Sequence, residues 1–449
     1  MTLPPLSWFQ IFRLGLIQAA LGAIVVLTTS TLNRIMVVEL AMPAILPGAL
    51  VAVHYSMQVL RPRLGHGSDI GGRRTPWIVG GMAVLALGGI GAAAGTALMS
   101  VGPWAGIVLA TVSFITIGIG VGACGTNLLV LLAKRVDERR RAAAATIVWV
   151  MMIAGFVVTT ASAGHWLDPY SPARLVAVAT AVSIIAMAVT LVAIWKVEGP
   201  RIRREPEPVA PNQVREASFV AALAQVWSEP QSRRFAVFIF VSMLAYSAPE
   251  LILEPFAGSV FKLTPGESTT LASVQHGGVL AGMVLVALLS SAIGGRRFSE
   301  MRNWTVGGCI ASALALINLA AAGWVPGSSL RPAVFMLGLA NGVYAVAAIG
   351  SMMALVGSKQ QSREGVRMGL WGATQAVAFG LGGFIGTLAS DIARLLSGST
   401  ASAYATVFAA EAVLFLVSAF LAIRVYTAEK NLPDFTSVAA HSISEAVRS

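Results

Sequence analysis

The sequence predicts an all-α membrane protein with twelve transmembrane helices. Of its 449 residues, 56% are hydrophobic and 11% are charged, which is too few charges to solvate a soluble protein of this size. Apolar runs of about 20 residues recur from Leu14 to Ile423, and each can cross a hydrocarbon core ~30 Å thick. Cys124 and Cys309 lie inside such runs, so we interpret them as packing residues and expect no disulfide framework.

The basic residues predict the orientation of the chain. The N-terminus, every second connection and the C-terminal tail carry 26 of the 31 Lys and Arg residues. Because basic connections stay on the cytoplasmic side, both termini are predicted to be cytoplasmic. The net charge of +11 therefore indicates a juxtamembrane band facing anionic membrane lipid, and no nucleic-acid partner is expected.

An internal repeat divides the chain into two halves. The sequence Gly-Gly-Arg-Arg occurs at 71–74 and again 223 residues later at 294–297. We therefore predict a 6+6 pseudo-twofold repeat, an arrangement in which substrate sites lie between the halves near the bilayer midplane. The predicted units are a six-helix bundle at 1–198, a cytoplasmic linker with an interfacial helix at 199–233, a second bundle at 234–426 and a cytoplasmic tail at 427–449.

The loop between the second and third spans carries a gating motif, formed by Gly65, Asp69, Gly72, Arg73 and Arg74. Glycine permits a tight turn, aspartate can cap a helix, and arginine holds the loop at the cytoplasmic face. The pattern resembles the loop signature of the major facilitator superfamily, which implies the fold of that superfamily. The second-half copy lacks the aspartate, so we expect the gating to be asymmetric.

Three further segments, Thr31 to Pro43, Ala245 to Gly258 and Arg367 to Gly386, resemble the PucC/LhaA family of phototrophic bacteria. The resemblance implies a non-enzymatic assembly factor that binds bacteriochlorophyll a or a late precursor. It implies delivery to antenna polypeptides or to bacteriochlorophyll synthesis enzymes, in the bacterial inner (intracytoplasmic) membrane. The short loop between the second and third spans favours the branch linked to bacteriochlorophyll biosynthesis.

Two histidines are candidate pigment ligands. His54 and His276 lie in repeat-related spans, one residue away from the repeat offset. A neutral imidazole is a reasonable axial ligand for the magnesium of a chlorin. An interhelical hydrogen bond is the alternative for each histidine.

Other polar residues in the spans are candidates because such residues are costly in lipid. Glu250 and Glu254 lie one helical turn apart, although the neighbouring prolines, Pro249 and Pro255, predict a broken helix end. Asn33 and Gln375 are expected either to line the central cavity or to form interhelical hydrogen bonds. Arg34 and Glu39 are expected to have a structural role and to pair with each other or across the halves.

Sequence motifs argue against an enzyme. The G-x-G-x-x-G match at 120–125 lies inside an apolar span with no preceding strand, so it indicates helix packing rather than nucleotide binding. No phosphate-binding loop, nucleophile elbow or metal-ligand cluster is found in the sequence. The alternative function is a proton-coupled secondary transporter of a small amphipathic solute, with Glu250, Glu254 or Glu411 as proton carriers.

Overall fold

The computed structural model describes residues 5–61, 64, 73–199, 227–290, 300–325, 328–357 and 364–430. These residues form helices and connections, with no strand among them. In chain order the helices are α1 Trp8–Glu39, α2 Ile45–Ser56, α3 Thr75–Leu98, α4 Pro103–Arg135, α5 Glu138–Leu167, α6 Pro172–Ile194, α7 Pro230–Phe261, α8 Pro265–Ser290, α9 Met301–Ala322, α10 Leu330–Gly357, α11 Glu364–Ser397 and α12 Thr400–Lys430.

The helix lengths confirm a multi-pass membrane protein. Within the part of the chain that the structure describes, eleven helices are long and apolar enough to cross a bilayer. The second predicted span is shorter than expected, because its α-helix covers Ile45–Ser56 and then tightens into the 3₁₀ turn Met57–Leu60. Pro43 precedes this segment, and proline disfavours a helical conformation of the residue before it. After the 3₁₀ turn the described residues Arg61 and Leu64 are again helical.

The second half extends beyond its predicted boundaries. Helix α7 begins at Pro230 rather than 234, and α12 continues to Lys430, past the predicted start of the tail at 427. A helix can protrude from the hydrocarbon into the interface, where charged residues are tolerated, so hydropathy underestimates its length. The linker segment 200–226, with the predicted interfacial helix, and the tail beyond 430 lie outside the described residues.

The helix packing repeats between the two halves. In the first half α1 packs against α5 and α6, α3 against α4 and α6, and α2 against α4. In the second half the repeat-related pairs recur, with α7 against α11 and α12, α9 against α10 and α12, and α8 against α10. Each half also has its own large cluster of buried apolar side chains. The packing therefore agrees with the predicted 6+6 repeat.

Two repeat-related helix pairs join the halves, namely α5 with α8 and α2 with α11. Helix α1 also contacts α7 along its π-helical turns. We call the far end of the bundle the end at which α1 meets α2, α5 meets α6, α7 meets α8, and α11 meets α12. The opposite end, which carries most of the arginine-rich connections, is called the basic end.

Helices α8 and α10 approach each other through glycine on both sides. A Cβ added at Gly278 would lie 2.3 Å from the carbonyl oxygen of Phe335, and one added at Gly338 would lie 2.0 Å from that of Gln275. Gly282 and Gly342 repeat these contacts one turn further along each helix. Small residues four apart let helix backbones pack closely in lipid, so these glycines set the α8–α10 distance.

We predict that Gly278→Ala destabilises the protein, although alanine is the better helix former. The added methyl group would force α8 and α10 apart, at a cost of ~1–3 kcal/mol. The control is Gly277→Ala, because a Cβ at Gly277 meets no atom within 4 Å. Thermal unfolding of both purified variants in detergent tests this, and equal midpoints would contradict the glycine contact.

Candidate functional site

A polar cluster lies where α1 crosses α7 and α8. Helix α1 changes to π-helical turns at Leu27–Thr31 and Ile35–Glu39, and such turns re-aim side chains at functional sites. At this crossing Ser30 donates a hydrogen bond to Glu254 of α7, and the side-chain nitrogen of Asn33 donates to the backbone carbonyl of Leu251. Both candidates Asn33 and Glu254 are therefore part of one contact between the halves.

The predicted break in α7 is wrong. Helix α7 runs without interruption from Pro230 to Phe261, with Pro249 and Pro255 inside it. Proline at 255 removes the N–H that would normally bond to the carbonyl of Leu251 four residues earlier. The amide of Asn33 supplies the missing donor, so a neighbouring helix satisfies the carbonyl and α7 stays intact.

Glu254 is enclosed by this crossing. The residue is 2% exposed, one carboxylate oxygen accepts from Ser30, and the other has no hydrogen-bond partner among the described residues. The side-chain oxygen of Asn33 is likewise buried and unsatisfied within the described part. Two unsatisfied acceptors at one crossing can receive a proton or a donor group from a bound molecule.

Glu250 faces α8 one turn away. Its carboxylate accepts a hydrogen bond from the amide of Gln275 at 3.3 Å and lies 3.7 Å from Nε2 of His276. The Nδ1 atom of His276 is 2.8 Å from the carbonyl oxygen of Ala272. A carbonyl can only accept, so Nδ1 carries the proton and, in the neutral ring, the lone pair is on Nε2. Ligating histidines are commonly oriented in this way.

His54 has a different environment from its repeat-related partner. It is buried in α2, its ring packs edge-on against that of Tyr55 at 4.9 Å, and Nδ1 has no hydrogen-bond partner among the described residues. A backbone carbonyl thus orients His276, whereas Nδ1 of His54 has no such partner in the described part of the chain. As candidate ligands the two residues are not equivalent.

Three aromatic rings lie beside the polar cluster. Phe379 of α11 contacts Tyr55 of α2 at 5.5 Å and Tyr246 of α7 at 5.7 Å, measured between ring centroids. Tyr246 precedes Glu250 by one helical turn, so both project from the same side of α7. Gln375 lies one turn before Phe379 on α11 and is partly buried.

Arg34 and Glu39 form an ion pair at the far end, with 2.5 Å between Nη1 and Oε1. The Nη2 atom of Arg34 also donates to the carbonyl of Leu263 in the second half at 2.6 Å. The guanidinium crosses α7 at Gly258, where an added Cβ would lie 3.0 Å from it. Arg34 therefore connects the halves, in addition to pairing with Glu39 as the sequence predicts.

The described part of the loop motif contacts the end of the first half. The backbone N–H of Arg74 donates to the carboxylate of Glu198, which lies 3.8 Å from the guanidinium of Arg73. The motif residues Gly65, Asp69 and Gly72 lie outside the described residues. Arg73 and Arg74 thus hold the start of α3 against the connection after α6.

Glu411 lies apart from the polar cluster. It is 4% exposed on α12, it faces α11 near Gly386, and neither carboxylate oxygen has a hydrogen-bond partner among the described residues. Burial without a partner makes an ionised carboxylate costly at this position. Its environment is the packing of α11 against α12.

Several residues at the site were not singled out from the sequence. Ser30 and the three aromatic residues are common residue types in apolar spans, so their identity alone carries no signal. Gln275 is a polar residue in a span and could have been singled out by the same rule as the other candidates. The 3.6-residue period of α7 places Tyr246 on the stripe of Glu250 and Glu254, and this spacing could have identified it. The contacts made by Tyr55 and Phe379 depend on packing between the halves, which the sequence does not specify.

A separate groove lies on the second half between α9 and α10. Its volume is about 930 Å³, and Gly307, Ala311 and Leu314 of α9 and Pro332 and Met336 of α10 are among its lining residues. A Cβ at Gly307 would meet no atom within 4 Å, so the groove is open there. Among the described residues, no group of three or more His, Cys, Asp or Glu side chains could hold a metal ion.

The fold is shared with solved transporters. A bacterial homologue of the human lysosomal transporter Spinster, in an inward-facing and occupied conformation, matches with a TM-score of 0.67 and 14% identity over 95% of this chain and 98% of that one. The nucleoside transporter NupG matches with a TM-score of 0.65 and 16% identity over 93% and 99%. These similarities establish the fold of the major facilitator superfamily.

Sequence relatives come from phototrophic bacteria. The "Bacteriochlorophyll synthase 44.5 kDa chain" of Rhodobacter capsulatus is 50% identical over 94% of this chain and 96% of its own length. Protein PucC of Rhodovulum sulfidophilum is 27% identical over 89% and 88%. The profile of the family described as "PUCC protein" matches residues 31–430. The chain belongs to the PUCC protein family.

Proposed function

We propose that the chain binds bacteriochlorophyll a or a late precursor and delivers it to a client protein during light-harvesting complex biogenesis. The observation that carries the proposal is the 50% identity to a relative named as a chain of bacteriochlorophyll synthase, over nearly the whole of both proteins. Relatives named PucC are 27% and 28% identical. This difference favours bacteriochlorophyll synthesis enzymes as partners over antenna polypeptides. No catalytic step is assigned to the chain.

His276 has the chemistry that a chlorin magnesium requires. Its Nδ1 proton bonds to the carbonyl of Ala272, which leaves the lone pair of Nε2 for a ligand. The ring is 3% exposed, and the carboxylate of Glu250 lies 3.7 Å from Nε2. The donor fits the pigment, but a chlorin reaches it only if the Glu250 side chain moves aside.

The groove between α9 and α10 offers the space that is lacking at His276. Its volume of about 930 Å³ lies within the ~300–1,000 Å³ range of small-molecule sites. The lining is mostly small and apolar, which suits a large hydrophobic ring system approaching along the membrane. A pigment body could therefore occupy the helix surface before or instead of the central site.

The first experiment measures bound pigment by absorption of the protein purified from pigment-producing cells. We expect His276→Ala to lower the pigment content about tenfold, the usual scale for a ligand or its support. Glu250→Ala should preserve or increase it, because the group that faces Nε2 is removed. His54→Ala is the matched control, since Nδ1 of that ring bonds to no carbonyl among the described residues. Unchanged content in His276→Ala would remove the ligand assignment.

A second variant tests the groove. Gly307→Leu should fill the space beside α9 without disturbing packing, because a Cβ there meets nothing within 4 Å. The control is Gly80→Leu on α3, which has equally free surroundings in the other half. Loss of pigment in Gly307→Leu but not in Gly80→Leu would place the pigment in the groove. Full pigment content in both would exclude the groove.

The alternative is a proton-coupled secondary transporter of a small amphipathic solute. The specific support is the pair of the partly exposed Glu250 and the buried Glu254 at the boundary of the halves, in a fold shared with transporters. Dissipating the proton gradient distinguishes the two functions, because pigment delivery requires no gradient and coupled transport does. Retention of client proteins without any chlorin absorbance would instead indicate a chaperone that binds no pigment.

We also propose that the basic end faces the cytoplasm of a bacterial inner membrane. The positive-inside rule supports this orientation, since 26 of the 31 Lys and Arg residues lie in the sequence segments predicted for that side of the membrane. A reporter fused after Ser449 that is active only outside the cytoplasm should give no signal, and a cytoplasmic reporter should be active.

A further inference from the structure

We infer that Asp168 and Asp391 form a two-point latch that holds the two halves together at the far end. The carboxylate of Asp391, in α11, accepts hydrogen bonds from the backbone N–H groups of Ala44 at 3.1 Å and Ile45 at 2.8 Å. These two residues begin α2 in the other half. The contact therefore caps a helix of the first half with a carboxylate of the second.

The second point reverses the roles of the halves. Asp168 follows α5 in the first half, and its carboxylate accepts from the hydroxyl of Thr264 at 2.5 Å and from the backbone N–H of Gly266 at 3.1 Å. These residues begin α8 in the second half. Each half thus contributes one carboxylate and one helix N-terminus, where free N–H groups and the helix dipole favour negative charge.

The repeat explains the reciprocity. Asp168 and Asp391 are 223 residues apart, the same offset that separates the two Gly-Gly-Arg-Arg turns. Helices α2 and α8 are also repeat-related. The two contacts are therefore copies of one contact, and each copy reaches across to the other half.

The two halves also pack closely one helical turn before each aspartate. A Cβ at Gly48 of α2 would lie 2.0 Å from the hydroxyl of Thr387 in α11, and one at Gly164 of α5 would lie 2.4 Å from the hydroxyl of Thr270 in α8. Gly164 and Thr387 are 223 apart, and Gly48 and Thr270 are 222 apart. The glycine and the threonine have exchanged helices between the copies, so both interfaces remain closed.

Opening the far end would break both contacts at once. The four hydrogen bonds join separate halves, so separating α2 from α11 and α5 from α8 uncovers two helix N-termini and two carboxylates. The latch therefore sets the balance between a state closed at the far end and one open there. It acts on the fold and is independent of the molecule that the chain binds.

The test measures the distance across the far end in the full chain reconstituted in lipid nanodiscs. Spin labels are attached to Val101→Cys and Leu395→Cys, which are 82% and 85% exposed and belong to different halves. The native cysteines, Cys124 and Cys309, are buried and need not be replaced. Double electron–electron resonance then reports the closed and open populations.

We expect Asp168→Asn with Asp391→Asn to add a longer distance, with the open-to-closed ratio raised about tenfold, which corresponds to ~1.4 kcal/mol. The matched control is Glu267→Gln. The carboxylate of Glu267 also caps the start of α8, through the N–H of Thr264 at 2.9 Å, but it belongs to the same half. An equal increase in this control would show that helix capping, and not the bridge between halves, is responsible.

A steric variant keeps the test decisive if the double variant does not fold. Gly48→Val leaves both aspartates intact and forces α2 away from Thr387, so it should produce the same longer distance. A distance distribution like that of the unmodified chain in both Gly48→Val and the single variant Asp391→Asn would overturn the latch.

Discussion

Lipid supplies no hydrogen bonds, and this constraint organises the crossing of α1 and α7. Pro255 leaves the carbonyl of Leu251 without its helical donor, and Asn33 provides one from the other half. The same side of α1 carries Ser30, which bonds to Glu254. An unsatisfied backbone group thus fixes how α1 lies against α7. The surroundings of Glu254 follow from that position.

The sequence predicts the fold well because its strongest signals are local. Apolar length and the distribution of arginine give the span count and the expected orientation, and the repeated Gly-Gly-Arg-Arg turn gives the two halves. The continuity of α7 was predicted wrongly for a related reason. Pro255 is a local signal for a break, whereas the group that compensates it, Asn33, lies 218 residues from Leu251.

The site is predictable in its members but not in its contacts. Polar residues in apolar spans identify Asn33, Glu250, Glu254 and His276, since each must find a partner in the protein. Which partner each one finds depends on how the halves dock. The sequence offers no rule for that, so the contact of Gln275 with Glu250 and the aromatic rings around Phe379 emerge only from packing.

The two copies of the repeat have diverged unequally. The aspartates at the far end keep the same residue type, and each accepts hydrogen bonds at the start of a facing helix, Asp391 from two backbone N–H groups and Asp168 from one backbone N–H group and a hydroxyl. His54 and His276 also keep their residue type, yet their hydrogen bonds differ. Each aspartate contact joins one half to the other, whereas the hydrogen bond between His276 and Ala272 lies within α8.

The closed far end limits the routes by which a large apolar molecule would reach the chain. With the far end closed by contacts of Arg34, Asp168 and Asp391, the remaining approaches to the polar cluster are the basic end and the plane of the membrane. Transfer of a lipid-soluble pigment into water is unfavourable, because lipid already solvates its apolar surface. Such a pigment would therefore approach through the membrane rather than through water. The groove between α9 and α10 opens within the second half alone, so under the proposed function a pigment could enter it without any separation of the halves.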